Sequence, residues 1–134
     1  MISAVDTNII LDVVRPDPAF VEDSLALLKD SAKMGSMVMC DIVYAELSAQ
    51  FASQERLDHL LADFGIQLSH CSAKVLHKAG QAWREYRRNG GKRERILSDF
   101  IIGSHAENEA SRLLSRDRGF YRTYFIELQV LDKP

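Results

Sequence analysis

Apolar and polar positions along the chain follow two different periods, which predicts short strands separated by longer helices. Five short segments are continuously apolar or alternate with polar residues, and we predict them to be strands: residues 2–6, 36–40, 66–69, 111–115 and 128–132. Between them, apolar residues recur every three or four positions, as in a helix that packs one face on a core. This spacing covers residues 7–14, 16–35, 42–51, 53–65, 72–90 and a segment that opens near residue 98.

Residues that typically start or stop helices lie at the ends of these segments. Pro18 lies near the start of the second helical segment and Gly35 follows its end. We expect Asp41 to cap the helix after the second strand and Ser98 to cap the helix that it opens. Because strands alternate with helices, the pattern predicts right-handed β-α-β crossovers and a three-layer α/β/α sandwich with a central parallel sheet.

Composition bounds the kind of protein that this pattern can form. With 134 residues the chain is the size of one domain, 1–134, and its 46% hydrophobic and 27% charged residues are typical of a soluble globular protein. No apolar run approaches the roughly 20 residues of a membrane span, and the N-terminal sequence does not resemble a signal peptide. We therefore expect a cytoplasmic protein with no membrane contact. The net charge of −2 means that any contact with nucleic acid must be local.

Four carboxylates are expected to meet at one edge of the predicted sheet. Asp6 and Asp117 follow the first and fourth predicted strands, and Glu46 and Asp99 lie among apolar residues early in two helices. Each has an ordinary explanation on its own, such as a helix cap, a favourable place near a helix N-terminus or a solvent-facing helix position. Open parallel sheets, however, place their sites outside the carboxyl ends of the strands. The expected convergence of all four therefore favours a functional site.

Such a cluster has an electrostatic cost that indicates a metal ion. Two carboxylates about 5 Å apart repel by roughly 3 kcal/mol at an effective dielectric constant near 20. Without a cation, some of them would have to protonate. A cluster of oxygen ligands suits Mg²⁺ or Mn²⁺, which can activate a water and neutralise a phosphoryl group. The cluster therefore suggests phosphodiester or phosphoryl transfer.

Four segments, in order and over essentially the whole chain, resemble the PIN-domain ribonucleases of the VapC toxin type. They are VDTNIILD, YAEL, DFIIGSHA and LLSRDRGFYRTYF. The resemblance implies a single PIN-like nuclease domain and Mg²⁺- or Mn²⁺-dependent cleavage of RNA by in-line attack of a metal-activated water, which leaves 5′-phosphate and 3′-hydroxyl ends. It also implies the toxin role in a type II toxin–antitoxin pair, a homodimer, and a small antitoxin whose C-terminal segment occupies the cleft.

The resemblance extends to individual residues of the predicted site. Asp6 and Asp99 match the principal metal ligands of the family, and Glu46 and Asp117 match its remaining acidic positions, with the division of work between these two left open. Polar positions that usually support the site are matched by Thr7, Asn8 and Ser115. One departure is GSHA in place of a more common AAHA-like run, which touches helix packing more than chemistry.

Basic residues cluster next to two of these acids. We interpret as RNA-binding candidates Arg84, Arg87, Arg88, Lys92, Arg93 and Arg95, which precede Asp99, and Arg116 and Arg118, which bracket Asp117. Binding a polyanion beside an acidic site requires such positive charge, although arginines at a helix end also complement the helix dipole. Trp83 and Tyr86 could stack on bases, but their helical spacing favours packing in the core or against a partner.

Other functions stay open at the level of sequence. Asp6 could be the nucleophile of a phosphohydrolase or phosphotransferase, but such enzymes need a second acid two residues later, where Asn8 stands. A catalytically silent module that binds RNA or a protein is a second alternative, and a DNA nuclease of related fold is a third. For the partner surface, we expect helices at 17–33 and 53–64 to expose several apolar residues.

Overall fold

Five short parallel strands form the sheet at the centre of the molecule. The computed structural model describes residues 1–92 and 96–134. The strands are β1 (Ile2–Val5), β2 (Ser36–Met39), β3 (Ile66–Leu68), β4 (Arg112–Leu114) and β5 (Gln129–Leu131). Their order in the sheet is β3-β2-β1-β4-β5, and every pair is parallel. Each strand lies within a segment that the sequence predicts to be a strand, so the parallel α/β fold is confirmed.

Within residues 1–92 and 96–134, seven helices connect and flank the strands. They are α1 (Thr7–Val14), α2 (Val21–Met34), α3 (Asp41–Ser48), α4 (Gln54–Phe64), α5 (Ala73–Arg88), α6 (Leu97–Glu109) and α7 (Arg118–Tyr124). Ser53 and Ser72 cap α4 and α5 by accepting hydrogen bonds from backbone N–H groups of the first turn. Gly65 ends α4 in the left-handed conformation, with φ of 73°, which glycine adopts at little cost. None of the helices in the described ranges is both long and apolar enough to cross a membrane.

The strand order reverses at the carboxyl end of β1. From β1 the chain continues to β2 on one side of the sheet, and β4 pairs with β1 on the other side. Ala4 lies opposite Val38 of β2 and Leu113 of β4, so β1 is the central strand. Ligands of open parallel sheets bind where the strand order reverses in this way. Residues that follow β1 and β4 therefore line the expected position of a site.

Aromatic packing holds the start of α6 against α7. The ring of Phe100 on α6 contacts Tyr86, Phe120, Tyr124 and Phe125, with ring centroids 5.2 to 6.3 Å apart. Gly103 lies beside this cluster, where a Cβ atom would come within 2.3 Å of the Phe125 ring. The glycine in the GSHA segment is therefore a packing requirement.

Some predicted details are wrong, and tertiary contacts explain why. Asp41 is the first helical residue of α3 and not its cap, because its carboxylate accepts a hydrogen bond from the Cys71 backbone N–H. The cap position of α6 is Ile96, so Ser98 lies inside the helix. Helix α7 was not predicted because its seven residues are too few to show a helical period.

The expected apolar surface also lies elsewhere. In the helices at 17–33 and 53–64 the large apolar side chains pack inward, and Phe20 is the large apolar residue that the structure leaves exposed there. The other exposed large apolar residues lie outside these two helical segments, and they are Met1, Ile2, Met34, Leu68, Leu76, Ile96, Leu97, Tyr124 and Ile126.

Candidate functional site

Asp6 lies at the carboxyl end of β1 and holds the start of α1. Its backbone N–H donates to the Leu114 carbonyl of β4, and its Oδ1 accepts a hydrogen bond of 2.7 Å from the backbone N–H of Thr7. Its Oδ2 accepts from Ser115 Oγ at 2.7 Å and from the Tyr121 hydroxyl at 3.2 Å. The carboxylate is therefore fixed in one orientation by α1, the end of β4 and α7.

Burial makes the charge of Asp6 expensive. The residue is 6% exposed, and burial raises its pKa from 3.8 to about 6. The hydrogen bonds from Ser115, Thr7 and Tyr121 lower the pKa, whereas the negative charge of Glu46 raises it. The surrounding protein therefore compensates the charge of Asp6 only in part, and a bound cation would complete the compensation.

The three predicted supporting residues lie around Asp6. Ser115 is fully buried after β4, and its Oγ also accepts a hydrogen bond from the Asp117 backbone N–H at 3.0 Å. Asn8 Nδ2 lies 3.4 Å from both Asp6 Oδ2 and Ser115 Oγ. Thr7 Oγ1 donates to Glu46 Oε1 at 2.8 Å. These polar side chains connect the acidic residues to one another.

Glu46 approaches this group from α3. Helix α3 follows β2 directly, and α1 and α3 pack together. The Glu46 side chain is exposed, and its hydrogen bond with Thr7 places it beside the strand end that carries Asp6. Its charge acts on the Asp6 carboxyl group. Glu46 therefore forms the solvent side of the site.

Asp99 and Asp117 complete the cluster around Tyr121. Burial raises the pKa of Tyr121 above its usual range, and the negative charges of Asp6, Asp99 and Asp117 raise it further. All three carboxylates thus lie within electrostatic reach of one buried hydroxyl group. Asp99 lies in the first turn of α6, where its Oδ2 accepts from the Ile96 backbone N–H, and Asp117 immediately precedes α7. The structure therefore brings the four predicted acids to one region.

Tyr121 is a site residue that the sequence argument did not find. It lies four positions after Asp117, so the two share one face of the chain at the start of α7. Its side chain is 1% exposed and its hydroxyl donates to Asp6. The four-residue spacing from Asp117 to Tyr121 indicates a shared face only if residues 118–124 are helical, and the sequence does not predict that helix.

The predicted RNA-binding arginines have different surroundings. Exposed side chains on α5 and after it belong to Arg84, Arg87, Arg88 and Lys92. Arg93 and Arg95 lie outside the described residues. Arg116 makes a two-point ion pair with Asp12, with N–O distances of 2.8 and 3.0 Å, and Arg118 pairs with Asp132 at 3.1 Å. The geometry assigns Arg116 to structural support more than to direct contact with RNA.

Asp12 is a second buried carboxylate behind the site, also missed by the sequence argument. It is 3% exposed and accepts hydrogen bonds from Ser24 of α2 as well as from Arg116. The Arg116 backbone N–H in turn donates to Asn8 Oδ1 at 3.1 Å, and its guanidinium lies 4.1 Å from the centre of the Phe20 ring. This network ties the loop after β4 to α1 and α2.

The oxygen atoms of the cluster suit a hard divalent cation that keeps part of its water shell. Within residues 1–92 and 96–134, no three His, Cys, Asp or Glu side chains form a preassembled metal-binding group. Mg²⁺ commonly binds through one or two carboxylates, with water and substrate phosphates as its other ligands. The partly compensated charge of Asp6 fits this mode of binding.

Solved structures with similar folds were found by comparison. A chain of VapBC2 from Rickettsia felis, bound to a DNA fragment from their promoter, is 24% identical, with a TM-score of 0.74 over 98% of each chain. A chain of VapBC-1 from nontypeable Haemophilus influenzae is 20% identical, with a TM-score of 0.73 over 98% of each chain. A chain of FitAcB from Neisseria gonorrhoeae is 23% identical, with a TM-score of 0.68 over 98% of this chain and 96% of that one.

These similarities show that the fold is shared. A match to a family model shows, in addition, the family to which the chain belongs. Comparison with curated proteins found no match. The model of the PIN domain matches residues 4–126, which include all four acids of the cluster. The fold, the strand-end position of the acids and this match agree, and the chain belongs to the PIN domain family.

Proposed function

We propose that the protein is a metal-dependent endoribonuclease, the VapC-type toxin of a type II toxin–antitoxin pair that acts in the cytoplasm. The observation that carries the proposal is the buried Asp6 carboxylate at the carboxyl end of β1, which accepts hydrogen bonds from Ser115 and Tyr121 and is joined to Glu46 through Thr7. Asp6 follows β1, where the strand order reverses, and Asp117 follows the neighbouring β4, so negative charge is concentrated at this end of the sheet. A divalent cation bound here would offset this negative charge and could bind a phosphodiester substrate.

Each acid has a proposed role that follows from its surroundings. Asp6 and Asp99 would hold Mg²⁺ or Mn²⁺, since Asp6 is rigidly oriented by its hydrogen bonds. The metal would lower the pKa of a bound water and neutralise the phosphate under attack. Glu46 is exposed and accepts a hydrogen bond from Thr7, which suits a ligand or proton acceptor facing the substrate. Asp117 would serve as the remaining acid, with its backbone anchored by Ser115.

Positive charge near the cluster supports a polyanionic substrate. The exposed arginines of α5 lead along the chain toward α6, which carries Asp99 in its first turn. Because the acids alone would repel RNA, phosphate contacts from basic side chains have to position the strand. In-line attack of water would then leave 5′-phosphate and 3′-hydroxyl ends.

An antitoxin and a second copy of the chain are the proposed protein partners. Solved structures of similar fold include VapBC and FitAB complexes, three of them with DNA. We propose that a cognate antitoxin places an arginine against the acidic cluster, where the charge of Asp6 is only partly compensated. Co-expression with the cognate antitoxin should yield a stable complex that blocks cleavage. Failure to form any complex would contradict this part of the proposal.

The direct test of the function is RNA cleavage by the purified protein. A panel of structured RNAs is incubated with Mg²⁺, with Mn²⁺ or with EDTA, and the product ends are identified. We expect cleavage with either metal, no cleavage in EDTA, and at least a hundredfold loss in Asp6→Asn and Asp99→Asn. Asp63→Asn, which changes a 67% exposed acid on α4, is the matched control. If folded Asp6→Asn and Asp99→Asn cut as fast as the parent, the proposal is wrong.

A further inference from the structure

A groove between α5 and the start of α6 is lined by none of the four acids. It has a volume of about 600 Å³ and is lined by Gly80, Trp83, Arg84, Arg87, Arg88 and Leu97. Leu97 is 38% exposed, and Trp83 is half-buried. A volume of this size is within the range of small-molecule binding clefts. We call it the α5 groove.

Gly80 leaves the floor of the α5 groove open. It lies in the interior of a helix of 16 residues, where glycine destabilises the helix relative to alanine. Its φ is not positive, and a Cβ atom at this position would meet no other atom within 4 Å. Neither the backbone conformation nor the packing of the chain therefore requires glycine here. The missing side chain instead provides space above the helix.

The chemistry of the α5 groove matches a nucleotide. Trp83 and Leu97 offer an apolar surface, and three guanidinium groups rim it, with no acidic side chain among the described residues of the lining. Arg87 holds its guanidinium 4.9 Å from the centre of the Trp83 ring, so the indole also carries a cation on its surface. Sites for single-stranded nucleic acid combine stacking aromatic rings with basic side chains in this way.

The position of the groove connects it to the acidic cluster. Leu97 lies two residues before Asp99 in the first turn of α6, a separation of about 3 Å along the helix axis. The groove therefore lies at the same end of α6 as Asp99. This location favours a nucleic acid over an acidic peptide as the occupant.

We propose that the α5 groove receives an unpaired base of a single-stranded RNA segment next to the cleaved phosphate. The base stacks on Trp83 above Gly80, and Arg84 and Arg88 contact the adjoining phosphates. Bases in a duplex are stacked within it and cannot enter, so the substrate is single-stranded at this point. The inference rests on the proposed function, because it takes RNA as the ligand of the neighbouring acids.

Trp83 is itself the reporter for the test, since it is the single tryptophan of the sequence. The full-chain protein is titrated with an unstructured RNA of about 12 nucleotides in EDTA while tryptophan emission is recorded. Saturable quenching is expected with this RNA, and at least tenfold weaker binding with a duplex of the same sequence. By fluorescence anisotropy, Trp83→Ala should weaken binding about tenfold.

Gly80 provides a matched pair of variants. Gly80→Leu fills the groove without removing any group, so it should abolish quenching, while Gly80→Ala should keep it. Circular dichroism melting should show both variants at least as stable as the parent, because both residues favour helix more than glycine does. Arg84→Gln and Arg88→Gln should each reduce the slope of log affinity against log salt by about 0.7.

The possible outcomes separate this inference from the proposed function. If folded Gly80→Leu binds and quenches as the parent does, or if an acidic peptide quenches Trp83 and RNA does not, the α5 groove is not an RNA site. If RNA quenches Trp83 in EDTA but is not cut with Mg²⁺, the groove inference stands and the nuclease proposal fails. If RNA is cut while Gly80→Leu leaves both KM and quenching unchanged, the nuclease proposal stands and the groove inference fails.

Discussion

Asp6 carries its charge in a place that water hardly reaches. Four side-chain and backbone donors hold its two oxygen atoms, yet burial still raises its pKa to about 6. Well-compensated carboxylates instead have a pKa below their usual range. The protein therefore tolerates an unfavourable charge at this position, which is typical of a functional residue.

The first prediction concerns Asp6 and pH. The pKa of Asp6 is higher in the folded protein than the 3.8 of an unperturbed group. Protonation of Asp6 therefore stabilises the folded state; this contribution to the free energy of unfolding is fully present below about pH 4 and is lost as the pH rises through about 6. The difference between the two pKa values corresponds to about 3 kcal/mol. In EDTA, the free energy of unfolding of Asp6→Asn relative to the parent should therefore rise by about that amount between pH 4 and pH 7.5.

Urea denaturation at both pH values measures this change. Asp63→Asn is the control, since its carboxylate is 67% exposed and its one ion pair, with His59 at 3.5 Å, is an exposed pair of the kind worth about 0.5 kcal/mol or less. An Asp6→Asn effect that is equal at the two pH values would show that burial does not destabilise the Asp6 charge.

A second prediction concerns the Tyr121 hydroxyl. Tyr121→Phe removes the hydrogen bond to Asp6, and bonds to charged groups are worth about 1.5 to 3 kcal/mol. We expect a loss of about 2 kcal/mol in the free energy of unfolding at pH 8, and a smaller loss at pH 5, where Asp6 is mostly protonated. Tyr124→Phe, on the same helix and 42% exposed, should show neither effect. Equal losses at both pH values would mean that Tyr121 supports packing alone.

Between elements, the ion pair of Arg116 with Asp12 determines where the loop after β4 lies. Arg116 follows Ser115 directly, and its backbone also bonds to Asn8, so the pair fixes the residues that surround Asp6. Asp12 connects the same loop to Ser24 of α2. The loop beside the site is thus held by an ion pair whose carboxylate is buried and whose arginine side chain is 32% exposed.

The ion pair yields a third prediction, tested by a double-mutant cycle. Arg116→Met leaves the buried Asp12 carboxylate without its partner and should lower the free energy of unfolding by about 3 kcal/mol. Replacing both residues, as Arg116→Met with Asp12→Leu, should cost less than the single change, because no charge is then left unpaired. Guanidinium denaturation of the four proteins gives the coupling energy. A double variant that is less stable than the single one would contradict this explanation.

The elements that could be predicted from sequence are those with local signals. All five strands and six helices follow from hydrophobic period, and Gly35 correctly marks the end of α2, whereas the predicted caps Asp41 and Ser98 are wrong. Helix α7 could not be found, because its stability comes from burying Phe120 and Tyr121 rather than from its own short sequence. The roles of Tyr121 and Asp12 could not be predicted either, because each side chain bonds to a partner more than 80 positions away in the sequence.

The molecule as a whole has a net charge of only −2, but its negative charge is concentrated at one edge of the sheet. The reversal of strand order at β1 brings together acids from positions 6, 46, 99 and 117. Exposed arginines on α5 precede this edge along the chain. A cation at the acids and a polyanion along the arginines would neutralise both regions at once, which is the physical basis of the nuclease proposal.

Mn²⁺ binding to the purified protein, measured by titration calorimetry at pH 7.5 without RNA, tests whether the acids form one metal site. We expect a metal site in the parent and in Asp63→Asn, a loss of at least tenfold in affinity in Asp6→Asn and Asp99→Asn, and a smaller loss in Glu46→Gln. Circular dichroism confirms that each variant is folded. Unchanged Mn²⁺ affinity in folded Asp6→Asn and Asp99→Asn would contradict the metal site on which the proposed function depends.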